Sequence, residues 1–107
     1  MLSQLSAQHL AKLCKGQWYQ DKIPSARFTA AQIDSRLMES NQLFIALEGK
    51  QTDGHRFIAN LNPEQQQAAI VEKPEPQARA AQLCVASSLR ALQALSGEIA
   101  GRTTAIK

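Results

Sequence analysis

Apolar residues along this chain follow two rhythms, one with the period of a helix and one with that of a strand. Leu2, Leu5, Leu10, Leu13 and Cys14 recur at helical spacing, which predicts an amphipathic helix over roughly 4–14. Ser3 or Ser6 is placed to cap its start, and Gly16 follows its end. A second helical pattern runs through Leu89, Leu92, Leu95 and Ile99 in "SLRALQALSGEIAG", with Ser87 or Ser88 as its cap. Its apolar stripe predicts a helix that covers one face of a sheet.

Shorter apolar runs, bounded by turn formers, lie between these helices. "GQWYQ" predicts a short strand, and Asp21-Lys22 and Pro24-Ser25 a turn. "ARFTAAQID" predicts a second strand from about 26 to 33, although Phe28 and Ile33 differ in parity, so its alternation is broken. Glu39, Ser40 and Asn41 form a turn, and "LFIALE" from Leu43 to Glu48 is nearly continuous in apolar character. Such a run predicts a strand buried on both faces. Gly49 and Gly54 bracket a loop. Thr52 or Asp53 then stands ready to cap a short helix carrying Phe57, Ile58 and Leu61. Asn62-Pro63 breaks that pattern and starts a helical turn, "PEQQQ". "AAIVEK" and "AQLCVAS" predict two more buried strands, separated by a loop with Pro74 and Pro76. Helices alternating with short buried strands predict an α/β fold, a small mixed sheet flanked by helices.

At 107 residues the chain fits one domain, 1–107, long enough to hold a core without metal or disulfide staples. Its net charge of +3 raises the question of nucleic acid, but the Lys and Arg residues are scattered. With three Phe, one Trp and one Tyr there is no platform for stacking bases, so no nucleic-acid partner is expected. A mild positive balance does suit an anionic ligand such as a phosphate. Cys14 and Cys84 belong to no Cys-x-x-Cys or Cys/His cluster, which excludes the usual zinc spacing. They are expected as small buried hydrophobes in a reduced compartment. Met1-Leu2-Ser3 leads directly into the first helical pattern, and no apolar run approaches the ~20 residues of a membrane span. A cytoplasmic protein with no membrane partner is the expectation. "RTTAIK" at the end has the look of another strand beginning. The chain is therefore expected to be cut from a longer protein.

The chemistry is sparse. No nucleophile stands beside a base, and no paired carboxylates or metal cluster stand out. His9 and His55 sit in different contexts, and His9 is expected as a solvent-facing or partly buried helix residue. Neither Gly-x-x-x-x-Gly-Lys-Ser/Thr nor Gly-x-Gly-x-x-Gly occurs. No catalytic residue and no metal ligand are predicted. Two polar clusters flank "LFIALE": Asp34-Ser35-Arg36 before it and the Gly49–Gly54 loop after it. The Ser35 hydroxyl both donates and accepts, and the Arg36 guanidinium is a planar fork suited to phosphate or carboxylate. If the two strand ends lie side by side, both clusters face one crevice, where ligands of α/β sheets tend to bind. The alternative is ordinary turn chemistry for Asp34 and Ser35, with Arg36 paired at the surface.

The order "DSR", a turn, "LFIALEG" and "DGHRFI" resembles the N-terminal domain of the Mur ligases, the cytoplasmic bacterial enzymes that build the peptide stem of peptidoglycan. The resemblance spans nearly the whole chain and departs at one turn, where Glu39-Ser40-Asn41 replaces the usual Pro-Gly. The closing segment is most like that of the members that add D-alanyl-D-alanine to a UDP-N-acetylmuramoyl-tripeptide. The members that add the third stem residue, diaminopimelate or lysine, share the Asp-Ser-Arg block. The resemblance implies a domain that holds the UDP end of a UDP-N-acetylmuramoyl-peptide. Its partners would be the central and C-terminal domains of the same ligase. ATP and Mg2+ would serve the parent enzyme downstream of Lys107, with no cofactor in this stretch. By the same resemblance, Ile33 and Ser35 lie against the uridine, and Lys50, Gln51 and Thr52 contact the uridine or the diphosphate. Arg36 suits phosphate charge or a loop-fixing salt bridge. Asp53 and His55 are loop-structuring, the first as a helix cap and the second through a hydrogen bond.

Overall fold

The protein is described from a computed structural model that covers residues 5–25, 27–33, 38–47, 58 and 61–98. In chain order the elements are β1 (Leu5–Ser6), α1 (Ala7–Cys14), β2 (Gln17–Trp18), β3 (Arg27–Phe28), β4 (Ala30–Gln32), β5 (Gln42–Ile45), β6 (Ala68–Val71), β7 (Ala81–Cys84) and α2 (Ser88–Glu98). Five strands form one mixed sheet in the order β2-β7-β6-β5-β4. β4, β5, β6 and β7 run parallel, and β2 joins β7 antiparallel at one edge. β1 and β3 make a separate antiparallel pair.

The core has two sides because strand side chains alternate between faces. Leu43, Ile45, Ala68, Ile70 and Leu83 point to the face covered by Leu10 of α1 and Ala91, Leu92 and Leu95 of α2. Phe44, Ala46, Ala69 and Val71 point to the other, against Ile58, Leu61 and Ala80. β5 is thus buried on both faces, as its continuous apolar run requires. α1 and α2 pack against each other on the first face. Trp18 joins them, its Nε1 donating to the Ala7 carbonyl at 2.9 Å.

Three expectations are corrected. The first helix starts at Ala7 rather than near residue 4, because Leu5 and Ser6 are extended and pair with Phe28 and Arg27. Ser6 is the cap, its Oγ accepting the His9 N–H at 3.2 Å. At the far end the left-handed residue is Lys15 (φ 56°), not Gly16. Gly16 donates its N–H to the Ala11 carbonyl at 2.9 Å, closing the helix through a Schellman arrangement. The single strand expected over 26–33 is two strands in different sheets. β3 pairs with β1, the chain breaks at Thr29, and β4 joins the main sheet. That switch explains the broken parity of Phe28 and Ile33.

The unusual turn before β5 also has a physical account. Asn41 has φ 63°, a left-handed conformation that glycine adopts freely and asparagine tolerates better than most. Its carbonyl accepts the Thr29 N–H, its own N–H donates to the Gln65 carbonyl, and its Nδ2 donates to the Arg27 carbonyl. Asparagine thus holds this left-handed position and adds a side-chain tie between the loops at the N-terminal edge of the sheet. Buried glutamines hold that edge too. Gln42 Oε1 accepts the Glu39 N–H at 3.0 Å, and Gln67 Nε2 donates to the Glu39 carbonyl at 3.3 Å.

Cys14 and Cys84 are free and half-buried, less enclosed than the sequence predicts. Cys14 packs against the helical face of the core and Cys84 against the other. Burial pushes the Cys14 thiol up to about 11 and raises that of Cys84. A raised folded pKa leaves stability intact below pH 9 and withdraws it as pH climbs from 9 towards 11, because only the unfolded thiol ionises in that window. In alkylation with iodoacetamide at pH 8, Cys14 is expected to react more slowly than Cys84, and at the rate of a free thiol only after unfolding in urea. Native Cys14 reacting at the free-thiol rate would contradict this placement.

Candidate functional site

The C-terminal ends of the four parallel strands form one row. Ala30, Ala31 and Gln32 stand opposite Gln42, Leu43 and Phe44, so β4 and β5 end together. The sheet's hydrogen bonds continue one residue past the strands, with Ala46 N–H to the Ile70 carbonyl at 3.0 Å and Val85 N–H to the Val71 carbonyl at 2.8 Å. Ile33, Leu47, Glu72 and Ala86 then mark where the chain leaves the sheet, all at the same edge. The condition set by the sequence is met: the chain leaves "AAQI" and "LFIAL" side by side.

Of the predicted site residues, Ile33 is the one described. It follows β4 directly and is 37% exposed, unusual for a large apolar side chain next to Ala31 and Gln32, which are buried. An exposed isoleucine at a strand end offers a flat apolar surface to a ring. Ser35, Arg36, Lys50, Gln51, Thr52, Asp53 and His55 lie outside the described residues, as does most of the short helix expected around Ile58.

The structure adds a feature the sequence did not reveal. At the end of β6 the Glu72 carboxylate accepts the backbone N–H of Ser88 at 2.9 Å, at the first residue of α2. Ser87 Oγ accepts the Arg90 N–H at 3.2 Å, so Ser87 is the cap. The positive end of α2 is thus occupied by an internal carboxylate from the neighbouring strand. Ser88 Oγ is buried beside it with no hydrogen-bond partner. A glutamate just after an apolar run and a Ser-Ser pair before a helix were both visible, but they lie far apart in sequence and only the β6–β7 pairing brings them together.

Beyond that edge, Gln82 clamps the connection between β6 and β7. Its Oε1 accepts the Glu75 N–H at 2.6 Å and its Nε2 donates to the Glu75 carbonyl at 2.9 Å. Both backbone groups of Glu75 are satisfied between two prolines, which fixes the path of the chain as it leaves the row of strand ends. Among the described residues no group of His, Cys, Asp and Glu could hold a metal ion. Among the same residues no helix is long and apolar enough to cross a membrane.

Comparison with known proteins gives a concordant picture. A family profile described as "Mur ligase family, catalytic domain" matches residues 27–101. Two crystal structures of MurF from Acinetobacter baumannii superimpose on this chain with TM-scores of 0.79 and 0.76, at 38% and 36% identity over 91% of it. A third structure from the same organism, of UDP-N-acetylmuramoylalanyl-D-glutamyl-2,6-diaminopimelate--D-alanyl-D-alanyl ligase, gives 0.78 at 38% identity. The chain covers only 21–22% of the length of those structures. A UDP-N-acetylmuramoyl-L-alanyl-D-glutamate--2,6-diaminopimelate ligase from Bacteroides thetaiotaomicron is 60% identical over 30 residues, 28% of this chain and 6% of that protein.

Proposed function

This chain belongs to the Mur ligase family, and from that premise we propose that it binds the uridine diphosphate end of a UDP-N-acetylmuramoyl-tripeptide. It does so for an ATP-dependent ligase that adds D-alanyl-D-alanine during peptidoglycan precursor synthesis in the cytoplasm. The observation that carries this reading is the parallel pairing of β4 and β5. It sends the chain into Asp34-Ser35-Arg36 and into Gly49–Gly54 from adjacent points on one sheet edge, the usual place for a ligand in an open α/β sheet. Ile33 and Ser35 are assigned to the uridine, and Arg36 with Lys50, Gln51 and Thr52 to the uridine or its phosphates. Asp53 and His55 hold the loop. The D-alanyl-D-alanine step is favoured by 38% identity extending over 91% of the chain.

We assign no ATP–magnesium site to this chain. The sequence has no phosphate-binding Gly-x-x-x-x-Gly-Lys-Ser/Thr loop, and the described residues have no metal-holding cluster. ATP activation is assigned to a central domain of the same ligase, where an acyl phosphate forms and is attacked by the incoming amine. The chain on its own is therefore expected to be inert towards ATP. A phosphate-release assay on the purified 107-residue chain should stay at the buffer rate, and turnover above that rate refutes the assignment.

A second reading, addition of the third stem residue, is favoured by the 60% identity to the diaminopimelate ligase over 30 residues. A full-length ligase carrying this chain separates the two. Amide formation between the UDP-tripeptide and D-alanyl-D-alanine supports the first. Reaction of the UDP-dipeptide with diaminopimelate or lysine, and not of the tripeptide, supports the second.

A further inference from the structure

We infer that Gln82 is the latch of a cover on the second face of the sheet, built from the β6–β7 connection and the end of the β5–β6 connection, that opens as one unit. Parallel neighbours need a crossover, and a helix is the usual one because it satisfies its own backbone. The β6–β7 crossover, residues 72–80, contains no helix. Part of its backbone is satisfied from β7 instead. Gln82 stands opposite Ala69 and two residues before Cys84, and both of those side chains belong to the second face. Gln82 therefore points there too, and it is buried. Its Oε1 accepts the Glu75 N–H at 2.6 Å and its Nε2 donates to the Glu75 carbonyl at 2.9 Å. The same carbonyl accepts the Ala78 N–H at 3.1 Å, which closes a turn over 75–78. One side chain thus pins that turn to the sheet and uses both ends of its amide to do so.

The apolar side chains of this crossover reach a second connection. Ala78 and Ala80 pack in one cluster with Ile58 and Leu61 of the β5–β6 connection, over Phe44, Ala69 and Val71. The Leu61 N–H donates to the Ile58 carbonyl at 3.1 Å, so that piece is held by its own turn and by packing. Alanine side chains bury little apolar area, so packing alone binds the crossover weakly. Leaving the Glu75 N–H without its acceptor under that cover is costly, so the polar clamp decides whether the crossover stays down. The sheet beneath is held by its ladders, and the cover is the part that opens first, at a frequency set by Gln82. The β5–β6 connection also carries Lys50, Gln51 and Thr52 in sequence. Through Ile58 and Leu61 the latch thus acts as a positioning device for the segment assigned above to the ligand, although the latch itself does not depend on that assignment.

Native-state amide hydrogen exchange, followed by NMR in the wild type and in Gln82→Met, tests this. Methionine keeps the length and volume of the side chain and removes both polar ends, so packing is spared. The Glu75 amide is expected to be protected in the wild type, although it lies between two prolines in a crossover without a helix. Gln82→Met should speed exchange at Glu75, Ala78 and Leu61 together, by about tenfold or more. Ala46 and Val85 in the sheet, and Gly16 at the end of α1, should keep their wild-type rates. Exchange of the wild-type Glu75 amide at the free-peptide rate, or a Glu75 amide that stays protected in Gln82→Met, overturns the latch. Faster exchange at Glu75 and Ala78 with Leu61 unmoved overturns the single opening unit. Equal acceleration at Ala46, Val85 and Gly16 reads as a loss of global stability and overturns the local opening.

Discussion

Replacing Ile70 with alanine is expected to cost about 2–5 kcal/mol of stability, the usual range for emptying a buried branched side chain. Ile70 is fully buried on β6, in register with Ile45 on one side and Leu83 on the other. Loss of its side chain leaves a void between the sheet and the two helices that its neighbours cannot close without moving. Domains of this size have about 5–15 kcal/mol in total, so the variant approaches the limit of folding. Urea denaturation followed by the fluorescence of Trp18, the one tryptophan and buried in the same cluster, reads the change directly. A loss under about 1 kcal/mol would mean that β6 is not the centre of the sheet. The functional consequence follows from place: β6 lies between the strands that end at the proposed nucleotide site and the strand that leads into α2.

Gly16→Ala is expected to cost about 1–3 kcal/mol, although it is the smallest substitution available. A Cβ at Gly16 would stand 2.6 Å from the carbonyl oxygen of Cys84 and 2.8 Å from Cγ1 of Val85. The first contact is backbone, so no side-chain rotation relieves it. Either the end of α1 or the end of β7 must shift, and β7 leads within a few residues to the Glu72–Ser88 contact. The expected signature is a lower urea midpoint with unchanged slope. A neutral Gly16→Ala would show that α1 and β7 do not approach this closely.

These two positions show what could be read in advance. The burial of Leu43–Ile45 on both faces and of Leu92 and Leu95 on α2 was legible because each depends on residues near one another in sequence, whereas Leu89, expected in the same stripe, is 55% exposed. The role of Gly16 was legible only in part. A glycine after a helix predicts a left-handed cap, yet Lys15 takes that conformation, and Gly16 is required by a strand nearly seventy residues away. The division of 26–33 into β3 and β4 was hidden for the same reason. The break at Thr29 is set by its bond to Asn41 and by the pairing of Phe28 with Leu5. At the site, the two polar clusters share one edge only if their strand ends adjoin, and the parallel register of β4 with β5 places those ends side by side. The charge of that edge was not legible, since Glu72 finds Ser88 only once β6 and β7 are neighbours.

The central claim is that the row of strand ends carrying Ile33 and Leu47 binds uridine diphosphate. Chemical-shift mapping of the isotopically labelled chain with UDP tests it most directly. The predicted result is a set of shifted amides at 33–36, at 47 and through 49–55, with Asn41, Gln65 and Gln67 at the opposite edge unmoved. Shifts confined to that opposite edge, around Asn41 and Gln67, would contradict the account.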